Sequence, residues 1–145
     1  MLSDLWMVDA LANTTTLLYG DPAKLSLPAG LPVVGSLTAG VYSPVLYPAA
    51  RHSASLAYDA YTRTLWLFGG AYHSITAQNN DKHAFFEDMW SFSLDRRQWA
   101  WWRGNTDVVS RPSTPQTVLD TAPPPPTAAA ATAAYKGQIV IYGGT

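Results

Sequence analysis

The densest group of chemistry-bearing side chains lies between positions 71 and 87: His73, Asn79, Asn80, Asp81, Lys82, His83 and Glu87. Two imidazoles and a carboxylate (His73, Asp81, His83) are donor types that can hold zinc. Such a site needs converging geometry, and this spacing matches no ligand motif. A polar recognition loop and a plain solvated loop are the readings left open, so no metal and no cofactor is expected. A second group is the pair Asp4 and Asp88, each two positions before a tryptophan, Trp6 or Trp90. Two carboxylates can divide general acid and base roles. Their recurrence at one repeat position favours structure instead, with each Asp accepting hydrogen bonds from backbone N–H groups at a strand start. Trp90, Trp99, Trp101 and Trp102 form a third group. They can stack sugars, but strand tryptophans usually pack a core, and only Trp102, opposite in face to Trp101, is expected at the surface. No phosphate-cradling glycine loop, nucleophile elbow or His-Glu-x-x-His occurs. No catalytic residue is assigned.

The elements that must position these residues repeat. Leu65-Trp66-Leu67-Phe68-Gly69-Gly70 and Ile139-Val140-Ile141-Tyr142-Gly143-Gly144 are apolar runs ending in double glycine, 74 positions apart. Asp4 and Asp88, Trp6 and Trp90, and Gly20 and Gly104 are each separated by 84, and 2–20 aligns with 86–104 without a gap. Repetition at such a distance points to a repeat architecture. Between the glycines, 52–60, 64–70, 88–94 and 99–102 read as four strands with turns at 61–63 and 95–97, an antiparallel meander. The second and fourth strands are apolar on both faces, so the sheet requires cover on both sides, as in a radial stack.

These residues resemble a kelch repeat of the long-repeat variety. The carriers are Arg51-His52 before the first strand, Gly69-Gly70 after the second, Asp88-Met89-Trp90 in the third, and Trp99, Trp101 and Gly104 at the end. The resemblance implies an all-β fold, a propeller of four-stranded antiparallel blades. Residues 48–104 would form one complete blade, 2–20 the second half of the blade before, and 125–145 the first half of the blade after. Residues 21–47 and the Pro-rich 105–124 would be inter-blade loops. The flanks depart from the pattern: Thr15 stands where Trp99 does. With 125–135 laid on 48–58, Ala128 and Ala129 stand where Arg51 and His52 do. The alanine-rich stretch 128–134 favours helix by propensity, but repeat register makes it a strand. One blade and two halves cannot close a ring of four to eight. The expectation is a piece of a longer protein whose missing blades lie in the same chain.

In an up-down meander the 1–2 and 3–4 turns share one end, and here they are short. All the long connections, 21–47, 71–87 and 105–124, fall at the other end, and loops of such length are often functional. In peptide-binding kelch propellers, arginines placed like Arg51 line the pocket. The expected function is therefore a protein–protein interaction scaffold, with Arg51, His52, His73, Asn79, Asn80, Asp81, Lys82 and His83 as ligand-contacting candidates. The alternative is part of an extracellular carbohydrate-binding or oxidase propeller like galactose oxidase. The copper oxidases that share the fold carry a Cys–Tyr cross-link, and this segment has no cysteine.

Composition narrows the partners. The 145 residues are 48% hydrophobic and only 13% charged, with net charge −1, which argues against nucleic acid. No apolar run approaches the roughly 18 residues of a membrane span. The first residues lack the basic and apolar regions of a signal peptide. Asn13-Thr14-Thr15 is a glycosylation sequon in a turn, a slight lean toward an extracellular setting. The four prolines at 123–126 read as a stiff linker rather than a PPII ligand.

Overall fold

The structure, a computed structural model, describes residues 4–20, 37–75, 81–106 and 127–144. In chain order the strands are β1 (Leu5–Asp9), β2 (Thr14–Tyr19), β3 (Tyr42–Ser43), β4 (Ser55–Asp59), β5 (Thr64–Phe68), β6 (Ala71–Ile75), β7 (Asp81–Phe85), β8 (Met89–Ser93), β9 (Gln98–Arg103), β10 (Ala131–Tyr135) and β11 (Gln138–Tyr142). The described residues are all-β, and every strand pair is antiparallel. Among them no helix is long and apolar enough to cross a membrane. The central sheet has the order β3-β9-β8-β5-β4, and β1-β2, β6-β7 and β10-β11 are two-stranded sheets.

Side chains alternate along a strand and paired residues share a face, so register assigns both faces of the central sheet. Leu65, Leu67, Trp90, Phe92 and Trp99 share the first; Thr64, Trp66, Ser91 and Ala100 share the second. The first face holds the core, where Trp90, Phe92 and Trp99 are at most 3% exposed. Leu5, Leu18 and Tyr19 of the β1–β2 hairpin pack onto it. Tyr19 meets Phe92 and Trp99 edge-on with ring centroids 6.3 Å apart, a geometry that adds about 0.5–1.5 kcal/mol per pair beyond burial. Burial, with Tyr47 adding to it, pushes the Tyr19 hydroxyl up to about 12.

The β10–β11 hairpin lies along β4 instead. The Ala129 amide donates to the Ser53 carbonyl at 2.7 Å, the Gly70 amide to that of Thr127 at 2.8 Å, and the Ser55 hydroxyl to that of Ala130 at 2.6 Å. Three units therefore stack in chain order, each joined to the next by side chains or backbone.

One turn is used three times. Loops 10–13, 60–63 and 94–97 bridge the pairs Asp9↔Thr14, Asp59↔Thr64 and Ser93↔Gln98. Their last residues, Asn13, Arg63 and Arg97, have φ of 50°, 52° and 51°. The residue before each loop caps it: Asp9 accepts from the amides of Leu11 and Ala12, Asp59 from Tyr61, and Ser93 from Arg96. Four-residue hairpin loops are commonly built this way, around a type I turn. The β10–β11 hairpin turns in two residues, Lys136 and Gly137, at φ 51° and 78°, a type I′ turn. Asp59 joins the two kinds. It is fully buried, and its second oxygen accepts the Gly137 amide at 2.6 Å.

Three expectations need correction. The stretch 71–87 is not a plain loop, because β6 and β7 pair along it; pairing satisfies backbone groups that a long loop would leave to solvent. The stretch 21–47 contributes β3, which extends the sheet beyond four strands by pairing with β9. The last unit also sits one residue off the expected register. β10 follows β4 by 76 positions while β11 follows β5 by 74, because its turn is two residues shorter. Thr127 and Ala128, not Ala128 and Ala129, therefore occupy the places of Arg51 and His52. Matching left-handed residues, Ser53 (φ 54°) and Ala129 (φ 56°), confirm the shift.

Asp59 generates a pH prediction. Burial pushes its carboxyl pKa upward, but donors from Gly137, Thr62, Tyr61 and Lys136 outweigh burial and hold it below the ordinary carboxylate value. A depressed folded pKa contributes stability above the unfolded pKa of about 3.9 and loses it as pH falls through the folded value. Asp59→Asn should therefore lower the urea midpoint at pH 6, and the gap from the parent should close as pH is lowered below 4. A gap independent of pH would assign the effect to packing.

Candidate functional site

The end of the central sheet opposite the short turns gathers most of the candidate residues. Its centre is Arg51. The guanidinium lies over the Phe86 ring at 3.8 Å from the centroid. Nη1 and Nη2 fork onto the two carboxylate oxygens of Asp88, the Nη2–Oδ2 bond being 2.8 Å. Nη1 also donates to the Gly69 carbonyl at 2.9 Å, and Nε to that of Ala49 at 3.0 Å. Asp88 Oδ2 accepts the indole N–H of Trp90 at 2.7 Å. The side chains of Arg51 and Asp88 are 4% and 0% exposed. Forked pairing suits the planar guanidinium, and the two carbonyls take two more of its donors.

This geometry gives Arg51 a different role from pocket lining: its guanidinium is turned inward and occupied. Asp88 is structural, but through the side chains of Arg51 and Trp90 rather than the backbone amides expected from sequence. Gly69 and Gly104 complete the node. At φ 62° and 84° they are left-handed, and a Cβ there would strike the carbonyls of Thr127 and Glu87 respectively. Only glycine fits both conditions.

The hairpin β6–β7 rises from this node. Ala71 and His52 exchange backbone bonds at 2.8 and 3.0 Å, and the Phe86 amide donates to the Gly70 carbonyl at 2.9 Å. His52 is exposed, with Nδ1 3.1 Å from the Ser53 hydroxyl. Register sets His73 opposite His83, Ser74 opposite Lys82 and Ile75 opposite Asp81. Asn79 and Asn80 lie outside the described residues. Among the described residues, no group of three metal-binding side chains occurs.

The repeat positions in the flanking units fall into the same local geometry. The β1–β2 pairing has its irregularity between Leu5 and Trp6, and β8–β9 has its own between Met89 and Trp90, the equivalent place. Gly20 abuts Asp4 as Gly104 abuts Asp88, and Gly143 and Gly144 share the left-handed backbone of Gly69 and Gly70. Asn13 occupies an exposed turn.

Sequence reasoning missed a cleft. On the second face of the sheet, an open cleft of about 710 Å³ is lined by Tyr42, Trp66, Met89 and Trp102, with Gly137 and Ile139 of the last hairpin on its far side. The Trp66 and Trp102 rings meet tilted by 49°, with centroids 5.2 Å apart. The Trp102 indole donates to Ser91 Oγ at 2.7 Å, and Tyr42 Oη lies 3.0 Å from the same oxygen. Trp102 is 38% exposed, whereas Trp90 and Trp99 are buried. The sequence signal was the alternation in β9, which sets Trp102 on the face opposite Trp99; Tyr42 had no signal, since β3 was unforeseen. No family model matches the chain, and no curated protein matches it.

Removing the cation leaves a buried carboxylate unpaired, at a typical cost of 3–5 kcal/mol. Arg51→Ala should lower unfolding free energy by about that amount in urea titration, and Arg51→Lys should recover only part, because an ammonium cannot fork. Unchanged stability in Arg51→Ala would return the residue to ligand binding.

Proposed function

We propose that the chain is a kelch-type β-propeller segment that serves as a protein–protein interaction scaffold, with the β6–β7 hairpin as its principal contact. The observation that carries this reading is the rooting of that hairpin. It forms its own two-stranded sheet, tied at its base to His52 and Gly70 beside the Arg51–Asp88 pair. A short extension held on a rigid base presents polar side chains at low ordering cost, which is how scaffolds carry binding segments. Its sequence supplies His73, Lys82 and His83. The kelch reading draws on the stacking of three units in chain order, on the double glycines, and on the Arg51, Asp88 and Trp90 constellation. Blades of a propeller stack in that way around an axis.

The test separates scaffold from fold. Residues 73–83 are replaced by a Gly-Gly turn, and proteins retained by the immobilised parent and variant are compared by mass spectrometry. The expected result is loss of specific partners with the urea midpoint unchanged. An identical set of partners on both proteins would sink the hairpin assignment.

A further inference from the structure

The turn between β1 and β2 leads into the sequon Asn13-Thr14-Thr15, and the 145 residues hold no other Asn-x-Ser or Asn-x-Thr. Asn13 closes that turn in the left-handed region, at φ 50°. Asparagine enters this region more readily than most residues, which alone could account for its presence. The two equivalent turns remove that account. They close with Arg63 and Arg97 at φ 52° and 51°, so the turn does not depend on asparagine. Its cap does not depend on it either, because Asp9 Oδ1 accepts the Leu11 and Ala12 amides at 3.0 and 2.9 Å. Among the described residues, the Asn13 side chain has no hydrogen-bond partner. Thr15 is the second departure. It stands 84 positions before Trp99, which is 3% exposed in the core. Where the central sheet places a core indole, β2 has instead the hydroxyl that a sequon needs two residues after its asparagine.

We infer that Asn13 carries an N-linked oligosaccharide, received from a polyprenyl-diphosphate-linked donor in a secretory compartment. The side-chain amide nitrogen bonds to the anomeric carbon of the first sugar. The bond from that carbon to the diphosphate oxygen breaks, and the lipid diphosphate leaves with the electron pair. One amide proton passes to a base of the transferase, and nothing is oxidised or reduced. The folded turn accommodates the product. A glycan is bulky and hydrophilic, so it belongs on the surface, and at Asn13 it displaces no contact. The exposure of this place holds in the middle of the stack as well. Loop 94–97 is the same turn in the unit with a neighbour on either side, and Asp95, Arg96 and Arg97 there are all exposed. Tyr61, Thr62 and Arg63 in the second such turn are exposed too. Asn13 lies at the turn end of its hairpin, whereas β6–β7 leaves the central sheet from the end opposite the short turns. The sugar therefore leaves that contact surface open, and the inference stands independently of the scaffold role of β6–β7.

The test begins with the protein recovered from its own source. It is treated with a peptide N-glycosidase in heavy-oxygen water and sequenced by mass spectrometry. Position 13 should carry a glycan before the enzyme and read as heavy-oxygen aspartate after it. The full chain, secreted from yeast behind a cleavable leader, should migrate as a larger species that the same enzyme collapses to the bare polypeptide. Asn13→Gln and Thr15→Val should each abolish the shift, while Thr15→Ser, which keeps the hydroxyl, should retain it. Migration in denaturing gels reports the sugar whether or not a variant folds. Unmodified Asn13 in the protein from its source, a secreted parent with no shift, or a shift that survives Asn13→Gln would each overturn the assignment.

Discussion

The ion pair between Arg51 and Asp88 is the constraint around which the central sheet is arranged. A carboxylate this deeply buried is tolerable only when its charge is matched and its lone pairs are used. Asp88 meets that condition by taking a forked guanidinium and the Trp90 indole together. Each partner reaches a different part of the fold: Arg51 leads into β4, Gly69 ends β5, and Trp90 anchors the core in β8. The pair thereby fixes the relative height of three strands at one end of the sheet. The β6–β7 hairpin starts from Gly70, so its base inherits that rigidity.

At the other end the work is done by neutral geometry. Repeated capped turns end in a left-handed residue, and the Arg63–Asp95 bridge beside them is 59% and 63% exposed, where ion pairs contribute little. Asp59 is the exception, buried and aimed across a unit boundary at Gly137. One end of the molecule therefore holds its strands by a charge pair and the other by caps. The first end is where the longer connections leave the sheet and where contact with other molecules is proposed.

Much of this architecture was legible in sequence because repeats expose it. The double glycines, the Asp-x-Trp pairs and the spacing of 84 located the strands of the central meander, and the alternation in β9 separated Trp102 from the buried tryptophans. What escaped was set by long-range pairing. β3 is two residues long, too short to show any periodicity. β6 and β7 carry a mixed polar pattern, and only their pairing makes them strands. The register of β10 depended on the length of a turn, and an alanine-rich segment has no side-chain pattern to reveal a shift of one residue. Arg51 was recognised as special, but its pairing with Asp88 was not, since a lone arginine in sequence does not disclose which way it faces. Asp59 was overlooked although it stands four residues before Arg63, as Asp9 stands before Asn13.

Gly69 has a consequence beyond its own backbone. The missing side chain lets its α-carbon approach the Thr127 carbonyl, while the adjacent Gly70 amide bonds that same oxygen at 2.8 Å. This contact joins the end of β5 to the segment that leads into β10, so its thickness sets how closely the two sheets approach there. A larger residue would push the two segments apart at this point and strain the Gly70–Thr127 bond. The spacing of these two sheets is thus written partly in one absent methyl group.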